Sequence, residues 1–485
     1  MAESSGIRAR SPVVGLPRGC LSQLQVLAQS VSAVAPSAVM VTLPALVMAE
    51  VGRGVIVVFV VATLLIAAVG YCVRQFATRM AAVSGLYSYT VKGLGPPTGF
   101  AAGWSLLVGY GAAAMASLIG AGSYLAALLG RAGVPQGMPA TVALAAAAGA
   151  VALLLMLRGV QLSARIMLAI EVFAILAASA VLVVAFVAGG GAAAGAAPSA
   201  PSGTPGAAGF AVLLAITAFV GFESAGTVAR EARHPLVTVT RAIRWTPIVV
   251  GVLYLFAAAL QLPDSARLGT DSLRIVLTLP DRIGGGSSVL AALMEAGIAA
   301  SWFACVLGSV TALSRTLFAM GREGVLPVVG RTHRRFGTPS AALLVTMPLV
   351  VAVPLACLLV SGSSRATLVG LLAVSAHGYI VAYVLVCAAT PAFLRRIGES
   401  TLWTSAIGCA TAACLVGLIV GVGVTSWGRA EGTPTIVYLA IMALGVAVYV
   451  VRIRPRPAVA QRIGVYDETT EADLFRPAPP WAVRR

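Results

Sequence analysis

Charge is what this chain has least of. Only 10% of its 485 residues are Asp, Glu, Lys or Arg, and 59% are hydrophobic, whereas soluble globular proteins carry roughly 25% charged side chains. That shortage excludes a water-exposed surface over most of the molecule. Histidine is limited to three residues, too few and too scattered for a metal cluster, and the single lysine, Lys92, lies in a loop. There is no GxxxxGK[ST], no HExxH, and no GxSxG within a soluble α/β pattern, so nucleotide hydrolysis, zinc-peptidase and serine-hydrolase chemistry find no support. No cofactor, metal or enzymatic activity is implied. The seven cysteines form no CxxC pair and mostly sit inside apolar runs, where they read as small core residues.

Long apolar runs are present instead. A membrane-crossing helix takes about 20 apolar residues, and twelve such runs are counted over 24–49, 55–77, 98–129, 138–157, 166–188, 208–229, 245–262, 289–320, 340–361, 366–390, 402–425 and 434–451. Lipid is therefore the solvent for most of the chain, and the expected fold class is all-α integral membrane with about twelve transmembrane helices. The polar tails, 1–23 and 452–485, are too short to bury a core, and the second, rich in Pro, Arg and acidic residues, is expected to be disordered. Residues 189–209 and 263–288 are expected as external loops. Trp104, Trp245, Trp403 and Trp427 lie near span ends, as interfacial anchors do. Ala33-Val34-Ala35 mimics a signal-peptidase site, but Gln23, Gln25, Gln29 and Ser30 leave no apolar stretch ahead of it, so the first helix is expected to be retained.

A formal charge of +17 would point to nucleic acid in a soluble protein. Here the basic residues fall between apolar runs, where they report topology. Placing the N-terminus inside puts 26 of the 33 Lys and Arg on the cytoplasmic side and leaves Arg53, Arg131, Arg267, Arg274, Arg282, Arg365 and Arg429 outside. Both termini are thus expected in the cytoplasm of a multi-pass protein of the cytoplasmic membrane. Its expected partner is the bilayer, with no nucleic acid; oligomeric state is left open.

Irregularities recur five helices apart. The third and eighth runs each cover about thirty residues, longer than a perpendicular span needs. The first run is broken by Ala35-Pro36-Ser37-Ala38 and the sixth by Gly221-Phe222-Glu223-Ser224-Ala225-Gly226. Paired interruptions at corresponding positions point to an inverted-repeat transporter with its site near the midplane. The repeats would be 24–189 (helices one to five) and 190–390 (helices six to ten), followed by helices eleven and twelve in 391–451.

An interrupted helix exposes unpartnered N–H groups and a positive dipole end, so its backbone can hold an anion without an arginine. Pro36 to Ala38 and Ala218 to Gly221 are the candidates; the plainer reading is a proline kink and glycine-mediated close packing. Four ionisable groups fall within or at the edge of the spans, and such groups are functional by default. Glu223, beside the sixth-helix break, is a candidate gate or proton-sensitive latch to neighbouring backbone, against a purely structural cap. Glu171, placed at the cytoplasmic end of the fifth run, is either protonated or paired across helices, with Arg165 as a competing neighbour. For Glu295 and His377 a hydrogen-bonded structural role leads. Ser309 and Thr311 are candidate ion ligands in the eighth helix, although both residue types also bond their own helix backbone.

Three stretches resemble the amino acid–polyamine–organocation permeases, over nearly all of 24–451. Gly221-Phe222-Glu223, followed by Glu231-Ala232-Arg233-His234-Pro235 and Arg241-Ala242-Ile243, is similar to the family's sixth-helix exit. Arg79-Met80 through Ser84-Gly85-Leu86-Tyr87-Ser88-Tyr89 resembles its loop after helix two. Ser314-Arg315 through Met320-Gly321-Arg322-Glu323-Gly324-Val325-Leu326-Pro327 to Thr338-Pro339 resembles its connection after helix eight. The resemblance implies a LeuT-like five-plus-five inverted repeat with two further helices, alternating access, and secondary active transport of amino acids or related amines. It implies that Ala35, Pro36, Ser37 and Ala38 hold a substrate carboxylate. It also implies that Thr217, Ala218, Phe219, Val220 and Gly221 surround the amino group and side chain, and that Glu223 is the family's sixth-helix glutamate. Some members carry a fifth-helix lysine in place of sodium; here Glu171 stands near that position. The chain also departs from the family in having Ala-Pro-Ser-Ala at the first break and Ala81 where a proline is usual.

Three functions stay open: a proton-coupled symporter for an amino acid or amine, an exchanger that needs no coupling ion, and a membrane sensor or subunit that transports nothing. No ring of charges or repeated filter-like loop supports a channel.

Overall fold

The computed structural model describes residues 16, 18–158, 160–188, 205–262, 288–333, 335–429 and 432–464. Of the loops expected over 189–209 and 263–288, residues 189–204 and 263–287 lie outside them, as does the tail beyond 464, while 205–209 and 288 already belong to helices. In chain order the helices are α1 (Gln23–Val34), α2 (Pro36–Val51), α3 (Val55–Ala77), α4 (Leu86–Leu94), α5 (Pro96–Arg131), α6 (Met138–Arg158), α7 (Val160–Ala188) and α8 (Pro205–Thr217). A ten-residue 3₁₀ segment, Phe222–Glu231, follows α8. Then come α9 (Pro235–Gln261), α10 (Ser288–Glu323), α11 (Ser340–Ser361), α12 (Ser364–Arg396), α13 (Leu402–Thr425), α14 (Thr433–Val448) and the short α15 (Pro457–Ala460). No named strand occurs among the described residues.

Ten helical stretches of the described residues are long and apolar enough to cross a membrane. The first, Gln23–Ala77, holds two of the twelve runs, and Leu168–Val184 in α7 is a further, shorter apolar helix. The twelve runs are therefore all accounted for as helix. Their outward faces are apolar, with Val360 89% and Leu402 90% exposed, while Ser, Thr, Tyr and Glu side chains collect inside. That polarity suits lipid and not water.

Repeat symmetry is visible in the lengths: α5 and α10, the third and eighth spans, are both 36 residues long. Each reaches beyond a single bilayer thickness, and α5 packs along both α10 and α12 at the centre of the bundle. The interrupted pair α1/α2 and α8 with its 3₁₀ segment lies against α7, α9 and α10.

Several boundaries differ from the hydropathy reading. The seventh span begins at Pro235, ten residues before the apolar run, because its first turns carry Arg241 and Arg244 and therefore score as polar. For the same reason α7 starts at Val160, so Glu171 stands three turns into the helix and not at its end. The expected disorder from Arg452 does not hold as far as Gly464: Ile453 and Ile463 are buried against Tyr87, Phe100, Met320 and Val325. Trp104 is half-buried, and its indole N–H donates to the Ile441 carbonyl at 2.9 Å. Trp245, Trp403 and Trp427 are exposed.

Candidate functional site

Both interruptions arise from local chemistry. Pro36 cannot continue the hydrogen-bond ladder of α1, and Ala35 absorbs the break in the left-handed region at φ 51°, the sole non-glycine residue with positive φ among those described. Pro36 then becomes the first residue of α2, a position it favours. In the sixth span, α8 ends at Thr217, residues 218–221 turn, and Gly221 takes φ 103°. A methyl group there would lie 2.7 Å from the Ala33 carbonyl oxygen, so the position needs glycine for both conformation and space. The 3₁₀ run that follows is far longer than the usual three or four residues.

The two breaks touch. Ser30 donates to the Phe222 carbonyl at 2.7 Å, Ser224 to the Gln29 carbonyl at 3.3 Å, and Gln29 to the Gly308 carbonyl of α10 at 2.9 Å. The Cys305 thiol reaches the Ala33 carbonyl at 3.2 Å. The Ala33 carbonyl, in the last turn of α1, is thereby engaged by α10.

Each break is closed by a buried carboxylate. Glu223 is 1% exposed and accepts from the Tyr110 hydroxyl at 3.0 Å, the Tyr383 hydroxyl at 2.8 Å and the Gly221 N–H at 3.2 Å. Glu171 is wholly buried; its Oε1 accepts from the Ser37 N–H at 2.8 Å and the Ser301 hydroxyl at 3.0 Å, and Ser301 in turn accepts from the Ala38 N–H at 3.3 Å. The first-turn donors of α2 are thus taken by Glu171 and Ser301. Among the remaining first-break and second-break residues, Ala35, Pro36, Ala218, Phe219 and Val220 are buried, and Thr217 donates back to the Leu214 carbonyl at 2.5 Å. The Arg165 side chain lies outside the described residues.

The other singled-out groups lie apart from the two carboxylates. Glu295 forms a two-bond pair with Arg131 at 2.7 and 2.9 Å, joining α10 to the end of α5. His377 is held by the Ala373 carbonyl at 2.7 Å and Thr435 at 3.1 Å. Ser309 is buried, 3.7 Å from the Cys305 sulfur, and Thr311 is buried nearby.

A buried ion pair joins α10 to the end of the 3₁₀ segment. Arg315 binds both oxygens of Glu231 at 2.8 Å, with both side chains buried, and Leu21 pairs with residues 231 and 233 through backbone bonds of 2.8 and 3.0 Å. Two turns further along α10, Tyr87 donates to the Glu323 carboxylate, which also accepts from the Gly464 N–H at 2.8 Å. Burial, together with the Glu323 charge, holds the Tyr87 phenol protonated well above its usual range, so it stays a donor. The three stretches that carry the family resemblance therefore meet here. A cavity of about 400 Å³ opens between α2, α8 and α12, lined by Leu46, Phe210, Leu214 and Val369 with Glu50 and Arg365.

Tyr110, Tyr383 and Ser301 were not legible as site residues. Their signal, a hydroxyl within an apolar helix, is shared with many side chains that only bond their own backbone.

The family model described as amino acid permease matches residues 21–450, and the chain belongs to that family, within the amino acid–polyamine–organocation permeases. A mutant manganese transporter of Eremococcus coleocola has the same fold, with TM-score 0.56 at 16% identity, over 95% of this chain and all of that one. An uncharacterised transporter of Mycobacterium bovis is 27% identical over 327 residues, 66% of this chain and 69% of its own. A branched-chain amino acid permease of Bacillus subtilis is 26% identical over 60% of this chain and 65% of its own, and a methylthioribose transporter of the same organism is 26% identical over 59% and 64%. These relatives are named as transporters and permeases, and the chain is a multi-pass membrane permease, not an enzyme.

Proposed function

We propose that this permease moves an amino acid or related amine across the cytoplasmic membrane by alternating access, with both termini in the cytoplasm and with protons as the coupling ion. The observation that carries the reading is the meeting of two interrupted helices, each closed by a buried carboxylate. Ala35 to Ala38 and Thr217 to Gly221 line the substrate position between them. Glu223 and Glu171 are the groups that can exchange a proton as the breaks reopen, because each is bonded to the amide whose helix end must move. The Arg315–Glu231 bridge is the closed cytoplasmic gate, and the cavity beside Arg365 is the external entrance. The named relatives support a solute of this size class, one of them for branched-chain amino acids and one for methylthioribose.

The test is uptake of radiolabelled amino acids and amines by proteoliposomes under an inward proton gradient, with Glu223→Gln alongside. Accumulation that vanishes with the gradient, and in Glu223→Gln, is the expected result. Swap with preloaded solute but no accumulation would replace the symporter by an exchanger. Absence of both would remove the transport reading.

A further inference from the structure

The first break has no free backbone donor for a substrate carboxylate. Pro36 lacks an N–H, the Ser37 amide is bonded to Glu171, the Ala38 amide to Ser301, and the Val39 amide to the Ala35 carbonyl at 3.0 Å. A helix N-terminus is an anion site, and here the anion is supplied by the protein itself. A second carboxylate placed beside it would meet like charge where the dielectric is low.

The other oxygen of Glu171 faces a different environment. Oε2 is buried without a hydrogen-bond partner, and so is the hydroxyl of Tyr254, whose ring shares its neighbourhood. Both bonds at Oε1 use donors already committed, since the one proton of Ser301 points to Glu171 while its oxygen accepts from Ala38. The Ser37 hydroxyl, at the start of α2, is likewise buried without a partner, so a ligand that brings proton donors to Oε2 meets two further hydroxyl oxygens that can accept from it. Aromatic rings pack around Tyr254: Phe219, in the turn of the second break, meets its ring edge-on with centroids 5.3 Å apart, and Phe59 stands 6.1 Å from the same ring. A buried acceptor carboxylate beside aromatic rings is the chemistry that recognises an ammonium group.

We propose that the solute carried by this chain is an amine without a carboxylate group, and that its ammonium pairs with Oε2 of Glu171 between α2, α7 and α9. This rests on the transport reading above and narrows its substrate class. Glu171 is at once the occupant of the anion site and the counter-ion of the solute, which leaves Glu223 as the group that exchanges the coupling proton, so the break that selects amino acids when its amides are free here selects against them.

The experiment compares each amino acid with its own decarboxylated amine: leucine with 3-methylbutylamine, and lysine with 1,5-diaminopentane. Full-length protein in proteoliposomes is assayed for uptake and for counterflow, and in detergent for thermal stabilisation by each compound. The amine is expected to exceed its parent amino acid by about tenfold or more in rate or apparent affinity. Glu171→Gln keeps an acceptor for Ser37 and Ser301 but lacks the charge, and is expected to lower amine transport by a similar factor. Preference for the amino acid, in wild-type uptake or stabilisation, overturns the assignment while leaving transport intact. Amine transport undiminished in Glu171→Gln also overturns it. Failure of both members of both pairs to move or to stabilise the protein overturns the transport reading, and this one with it.

Discussion

At the second interruption Gly221 takes the positive-φ position, and Glu223, two residues on, closes the break with its own chain segment. At the first, Ala35 takes that position and the carboxylate comes from Glu171, 134 residues along the chain from the Ser37 amide it binds. Three donors converge on Glu223, and neither of its oxygens is left over. Glu171 receives two bonds on one oxygen and none on the other. The difference teaches which break holds shape and which has capacity to spare. A buried polar group with all its bonds made rigidifies its surroundings, whereas one with an unmet valence favours whatever ligand completes it.

The comparison breaks most severely at Glu223. Replacing it by Ala strands two tyrosine hydroxyls and one amide in an apolar interior, and a loss of about 4 kcal/mol is expected from unmet donors at roughly 1–3 kcal/mol each. Thermal unfolding in detergent would read this as a collapse of the midpoint, and a melt within a degree or two of wild type would show that Glu223 is not the closure described. Gly221→Ala follows, at about 3 kcal/mol, from a left-handed alanine and a methyl forced against the Ala33 carbonyl; retained stability would mean that the breaks do not approach so closely.

Milder changes sharpen the contrast. Tyr383→Phe removes one of three donors to Glu223, and about 1 kcal/mol is expected, in the range measured for hydrogen bonds between membrane helices. A double-mutant cycle with Tyr110→Phe should be non-additive because both bonds end on one carboxylate; simple additivity would separate the two tyrosines. The smallest effect is expected at Ala35→Gly. Relief of the left-handed strain slightly outweighs the added flexibility of the unfolded chain, giving about 0.5 kcal/mol of stabilisation, and a clear destabilisation would contradict the strained geometry.

Much of this arrangement was legible in the residues. Helix count, the long third and eighth spans, and both interruptions follow from hydropathy, Pro36 and the Gly221-Phe222-Glu223 spacing, because those signals act within a few residues of themselves. Misplaced starts, at Pro235 and Val160, share one cause: a helix can extend past the apolar region into charged turns, and hydropathy ends where the charges begin. The ordered stretch to Gly464 escaped notice because a few apolar residues, Ile453 and Ile463, suffice to dock a short segment on an existing core.

By itself the sequence determined a lipid-solvated helical bundle, two broken helices in corresponding positions, and a glutamate able to close the second break from two residues away. Tertiary structure alone decided that Glu171 docks on the amide of Ser37, that Tyr110 and Tyr383 share Glu223, and that Arg315 finds Glu231. The physical reason is range. Helix and break are set by torsions and by bonds between near neighbours in the chain, whereas a buried polar group must be satisfied by whatever donor the packing of distant helices delivers to it.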